Sequence, residues 1–276
     1  MSLSAALILL LAAPSALAHT PFAADLLPWD RVPLLIGAVA MATGWLRYCR
    51  GARRVAPRPG AAACFHAGMV VAAFSAFGPL DDWAETDAAW HMVQHMAFMV
   101  VVAPLWAFAA PLPQWRAAGA ELLRPLWRHL ARVAAHPRAA ALLHGVTIWL
   151  WHMPALYVLA LESPWWHAVE HVAFLFTAWL FWWAVLRASP RDLGAALLAV
   201  GVTLMHTGLL GALLTFATQS FYGAGRSVEA QQLAGLIMWV PGSLFYLAAG
   251  GWLVWRRFAR TAEATAAVSP QAGEGR

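Results

Sequence analysis

Two histidine pairs hold the chemistry that this chain's residue types can support. In Trp90-His91-Met92-Val93-Gln94-His95-Met96, His91 and His95 stand four residues apart. On a helix that spacing puts both imidazoles on one face, and Met99 extends the row by the same interval. His167-Ala168-Val169-Glu170-His171 repeats the arrangement. Imidazole nitrogens in line with a thioether suit a borderline-to-soft metal such as copper, and soft ligands select Cu(I). Glu170, inside the second pair, can orient His167 or His171 as a hydrogen-bond acceptor, or stand as an interfacial carboxylate.

Each pair opens an apolar run, and such runs dominate the chain. At 62% hydrophobic and 11% charged residues, the composition excludes an ordinary soluble domain, which carries about 25% charged residues. The apolar blocks are about 20 residues long, the length that crosses a bilayer. The expected fold is all-α: a polytopic membrane bundle of seven transmembrane helices near 32–48, 60–78, 89–110, 140–161, 166–186, 193–216 and 232–255. Residues 1–18 resemble a cleaved signal peptide, with an apolar segment from Ala5 to Ala13, then Pro14 and Ala16-Leu17-Ala18. Cleavage there makes His19 the mature amino terminus, either a terminal copper chelator or a plain neighbour of the cut. Residues 19–260 then form the transmembrane domain, and 261–276, small and polar, a cytoplasmic tail.

Charge sets the expected orientation. All 18 basic residues are arginines, and all except Arg31 and Arg226 fall on one side of the seven spans. The positive-inside rule puts that side in the cytoplasm, with the amino terminus outside and the carboxyl terminus inside. The segregation also removes any reading of the net charge of +5 as a nucleic-acid signal. Asp81, Asp82, Glu85, Asp87, Glu162, Glu170 and Glu229 take the opposite, outer side. In the long joint after the third span, Leu122, Leu126, Leu130 and Val133 face away from Arg124, Arg128 and Arg132. That pattern fits a helix lying flat at the cytoplasmic headgroups.

Depth follows from orientation. His91 and His95 open the third span at its outer end, and His167 and His171 open the fifth. His152, in Trp151-His152-Met153-Pro154, lies in the outer half of the fourth, and His206 near the middle of the sixth. Ionisable groups within spans are costly and turn toward the bundle interior or a functional site. The candidate metal ligands are therefore His91, His95, Met99, His152, His167, His171 and His206. Histidines also serve as interhelical hydrogen-bonding groups, the reading for the isolated His66 and His144. His129 and His136 read as solvated loop residues. Met92 and Met96 point about 100° from the histidine row and read as packing. Cys49 and Cys64 form no disulfide framework or Cys-x-x-Cys motif. Pro104, Pro154 and Pro241 fall inside spans and free the carbonyls of Val100, Leu150 and Ile237.

Several of these motifs, in series, resemble the multi-span CtaG family of cytochrome c oxidase assembly proteins, the caa3-oxidase type. The likeness begins with His-Met-Val-Gln-His-Met at 91–96, with Ala-Pro at 103–104 and 110–111. It continues through Trp-His-Met-Pro-Ala-Leu-Tyr at 151–157 and His-Ala-Val-Glu-His at 167–171, running into Phe181-Trp182-Trp183. Leu214-Thr215-Phe216, Tyr222 and the stretch from Gln232 to Gly242 complete it. The resemblance implies an integral membrane factor needed to assemble haem–copper oxidase, through copper handling on the outer face.

The resulting expectation is a multi-pass protein of the bacterial inner membrane, with its metal site on the periplasmic side. It binds copper as Cu(I) and delivers it to cytochrome c oxidase subunits or a periplasmic copper chaperone. The lipid bilayer is its other partner, and nucleic acid is not one. No nucleophile–base pair, Gly-rich phosphate loop or carboxylate dyad marks it as an enzyme. Rival readings are a haem held between facing histidines, a copper transporter using His66, His144 and His206 as lower steps, and a scaffold whose histidines only tie helices together.

Overall fold

A computed structural model describes residues 29–119, 124–223 and 226–268. The expected signal peptide, His19 and residues 269–276 lie outside the described residues. The described residues form helices and connecting turns, with no strand among them.

Helix α1 (Arg31–Ala52) is followed by α2 (Ala61–Phe77) and the short α3 (Pro79–Thr86). Helix α4 (Ala88–Ala109) is long and apolar enough to span a bilayer. Two short helices, α5 (Leu112–Ala117) and α6 (Arg124–Ala134), lead to α7 (Pro137–Trp151), α8 (Pro154–Glu162) and α9 (Pro164–Leu186). Helices α10 (Leu193–Thr215) and α11 (Val228–Val268) are the last among the described residues. Five of these, α1, α4, α9, α10 and α11, can cross a membrane as single helices. The bent pairs α2–α3 and α7–α8 bring the number to seven when each counts as one span. The chain is thus a multi-pass membrane protein. Large apolar side chains exposed in mid-helix, such as Leu142, Val172, Met205 and Leu244, form the surface that lipid covers.

The bends have local causes. Pro79 and Pro154 have no amide hydrogen to give the carbonyl four residues back. At Pro79 the axis turns by 43° through the extended Gly78, and at Pro154 it turns by 73°. The carbonyl that Pro79 releases, Ser75, accepts instead from the Gln94 side chain at 2.7 Å. Pro154 releases the Leu150 carbonyl, which accepts from the Met153 amide at 3.1 Å in a tightened turn. Helix α4 departs from α geometry differently, opening into a π-helix over Ala97–Val102 that ends two residues before Pro104.

Helix α9 is central. It packs on α4, α7 and α8, and its Phe174, Ala178, Phe181 and Val185 lie at the heart of the main apolar core. Helices α10 and α11 meet over small residues: a Cβ on Gly235 falls 2.6 Å from the Gly211 carbonyl oxygen. Close backbone approach of this kind is how membrane helices gain packing without a hydrophobic driving force. At the arginine-rich end, Arg58 donates to the Phe108 carbonyl at 2.9 Å, and Arg256 to the Leu186 and Ala188 carbonyls at 2.9 and 2.8 Å. Those arginines therefore also satisfy carbonyls that helix ends leave unpaired. In α6, Leu130, Val133 and Ala134 turn inward while Arg128 and Arg132 are exposed; Leu122 lies outside the described residues. Helix α11 runs on to Val268, so residues 261–268, expected in the polar tail, are helical.

Candidate metal centre

Helix α4 starts where it does because Asp87, in extended conformation, accepts from the Ala89 and Trp90 amides at 2.7 and 3.4 Å. This N-cap satisfies donors that the first turn leaves open and fixes the phase of the helix. His91 and His95 then turn inward, each only 1% exposed. Helix α9 starts at Pro164, a residue suited to the first helical turn, and carries His167 and His171 to the same level. The two pairs meet. Ring centroids lie 4.2 Å apart for His91 and His95 and 4.1 Å for His167 and His171. Across the helices, His91–His167 is 5.4 Å and His95–His171 is 5.7 Å.

Glu170 enters this quadrilateral from α9. Its Oε2 lies 3.7 Å from His91 Nε2 and 3.5 Å from His95 Nε2, beyond the ordinary hydrogen-bond range. Both Glu170 oxygens and all four ring nitrogens of His91 and His95 are buried without a hydrogen-bond partner. Leaving one such group unmade costs about 1–3 kcal/mol, and folded proteins avoid it unless something else occupies the group. One ligand atom from each of His91, His95 and Glu170 falls within 4.8 Å of the others. Two nitrogens and a carboxylate oxygen thus converge on one point, as metal ligands do.

His152 sits at the break before Pro154. Its Nδ1 lies 2.8 Å from the Ile148 carbonyl. A carbonyl can only accept, so Nδ1 carries the proton and Nε2 keeps its lone pair. That Nε2 is buried and unpartnered. A proton held on one ring nitrogen by a backbone carbonyl is the usual setting of a metal-ligating imidazole. Phe174 neighbours both this ring and the cluster, 6.1 Å from His152 and 4.7 Å from His95. Tyr157 covers the cluster, edge-on to His91 at 5.5 Å and stacked on Tyr222 at 3.7 Å.

Met99 and His206 stand differently from the other expected ligands. Met99 is buried in the main apolar core, within the π-helical stretch, and its carbonyl accepts from Trp182 Nε1 at 2.7 Å. The four-residue row assumed uninterrupted α geometry, which the π-helix breaks between His95 and Met99. His206 packs against α7, where a Cβ on Gly145 would lie 2.9 Å from its Nε2. It neighbours His144 rather than the four clustered rings. His144 and His66 make interhelical hydrogen bonds as their isolation suggested: His144 Nδ1 to Thr177 Oγ1 at 3.0 Å, and Trp45 Nε1 to His66 Nδ1 at 2.9 Å.

Sequence reasoning missed Asp81. One of its carboxylate oxygens joins His167 and His171 in a second group of ligand atoms within 4.8 Å of one another. Its segment read as an acidic joint between spans. The signal was the spacing of Leu80, Asp81 and Ala84, the residues α3 buries, which places Asp81 on an inward helical face.

No curated protein and no solved structure matches the chain. The family model for the cytochrome c oxidase caa3 assembly factor (Caa3_CtaG) matches residues 39–260, a region that holds every histidine of the cluster, both carboxylates and the proline breaks. The chain belongs to the family of cytochrome c oxidase caa3 assembly factors.

Proposed function

We propose that this assembly factor carries copper, as Cu(I), at the His91–His95–Glu170 centre on the outer side of the membrane, and passes it toward the oxidase. The observation that carries this reading is the convergence of two imidazoles and a carboxylate, all 1% exposed and all without hydrogen-bond partners. A buried carboxylate needs a charge partner. Glu170 supplies that counter-charge to a cation bound by the two imidazoles. Imidazole suits copper. His152, with Nε2 unpaired, and the adjoining His167 and His171 supply further donors through which the ion can exchange. The outer-side location rests on the arginine distribution.

The geometry favours copper over haem. The His91 and His167 rings already stack at 5.4 Å with an interplanar angle of 18°, which closes the slot a macrocycle between them would need. The chain acts as a carrier and turns over no substrate. The recipient is an oxidase subunit or an intermediate copper chaperone.

The test is metal content and colour of the purified full-length protein. Wild type is expected to hold copper by elemental analysis and show no Soret band, and the His91→Ala/His95→Ala variant to lose that copper while eluting as a folded species. Copper unchanged in the double variant, or a Soret band in wild type, would overturn the reading.

A further inference from the structure

Glu170 and Gln94 occupy equivalent positions in their motifs. Each is the fourth residue of a His-x-x-(Gln/Glu)-His segment, and each reaches across to the other helix's side of the cluster. Glu170, from the His167/His171 motif, converges on His91 and His95. Gln94, from the His91/His95 motif, serves the opposite group through Asp81. Its Nε2 donates to Asp81 Oδ1 at 2.6 Å and to the Ser75 carbonyl at 2.7 Å, so both amide hydrogens are used. The Ser75 carbonyl is available because Pro79 gives it no amide hydrogen. Gln94 is completely buried and Asp81 is 7% exposed. One Asp81 oxygen is thereby held while the carboxylate joins His167 and His171, the ligand atoms of all three lying within 4.8 Å of one another. His167 Nε2 and His171 Nε2 are buried without hydrogen-bond partners.

We propose that Asp81, His167 and His171 form a second metal site beside the first, so that each chain holds two copper ions. The inference rests on the copper reading of the first centre and adds a ligand, Asp81, and a stoichiometry. Charge supports it. Each site has its own carboxylate, and two neighbouring cations are tolerated only when each has its own counter-charge. Gln94 does for Asp81 what outer-shell hydrogen bonds do for metal-binding carboxylates generally: it fixes the orientation.

The two sites differ in access. The first is sealed, whereas Asp81, His167 and His171 line one end of a cavity of about 690 Å³ that also touches Glu85, Glu162 and the apolar faces of α1 and α2. The second site is therefore the more accessible of the two.

The experiment is anaerobic loading of the full-length, detergent-purified chain with Cu(I), followed by desalting and elemental analysis. Wild type is expected to retain two copper ions per chain. Asp81→Asn, which keeps the side-chain shape and an oxygen for Gln94, is expected to halve that content, and Glu170→Gln to halve it by emptying the other site. One ion in wild type, or two in Asp81→Asn, overturns the second site and leaves the first standing. No copper in wild type overturns both. If Asp81→Asn does not elute as a folded species, the wild-type stoichiometry decides alone.

Discussion

Gln94 shows how much one buried side chain can coordinate. Its amide bridges a carbonyl freed by a proline and a carboxylate beside the histidine cluster. Gln94→Ala leaves both acceptors buried and unpaired, a loss of about 1–3 kcal/mol for each unsatisfied group. The expected outcome is a lower thermal unfolding midpoint in detergent together with weaker copper retention, by about 10–100-fold at the Asp81 site. An unchanged midpoint and unchanged retention would show that this bridge matters for neither. At this scale the sequence was partly legible. Spacing announced His91, His95, His167 and His171, and the Trp-His-Met-Pro segment announced a kink beside His152. The carboxylates were harder, because an acid near the outer end of a span has the same sequence signature whether it meets water or a metal. Only tertiary contact separates Glu170 from Glu162. The setting of Met99 was hidden for a related reason: Ala97–Val102 is uniformly apolar and gives no sign that the backbone leaves α geometry there.

Elements place these residues by interrupting regular helices at chosen points. The Pro79 break turns Asp81 inward, the Pro154 break presents His152, and the Asp87 cap fixes the phase of α4. Breaks of this kind can be read from proline positions, but their angles depend on packing. Spans were read correctly in number when each bent pair counts once. The continuation of α11 to Val268 was not legible, since small polar residues carry no apolar period. Helices α10 and α11 carry few polar ties and rely on close approach. In Gly235→Ala the new Cβ meets the Gly211 carbonyl oxygen at 2.6 Å and Leu214 Cβ at 2.7 Å. Backbone cannot step aside as a flexible side chain does, so the helices must separate, at about 1–3 kcal/mol for overpacking. Thermal unfolding of the purified variant checks this. A midpoint equal to wild type would mean the two helices can slide apart freely.

The whole molecule is polarised along its axis. Arginines gather at one end, where several also cap helix carbonyls, and His91, His95, His167 and His171 gather with the buried Asp81 and Glu170 in one cluster. Between them lies an apolar core built on α9. The apolar, multi-helix build suits a protein that stays in the membrane, and it accords with membership of the caa3 oxidase assembly family. The central claim is that copper held by the clustered imidazoles reaches the oxidase. The most direct measurement is the copper content and activity of the caa3-type oxidase in membranes of cells carrying His91→Ala/His95→Ala at wild-type abundance. The account predicts a copper-poor oxidase with activity lowered about tenfold or more, the scale on which lost metal affinity is felt, and recovery when copper is supplied in excess. An oxidase with full copper and full activity in those membranes would contradict it.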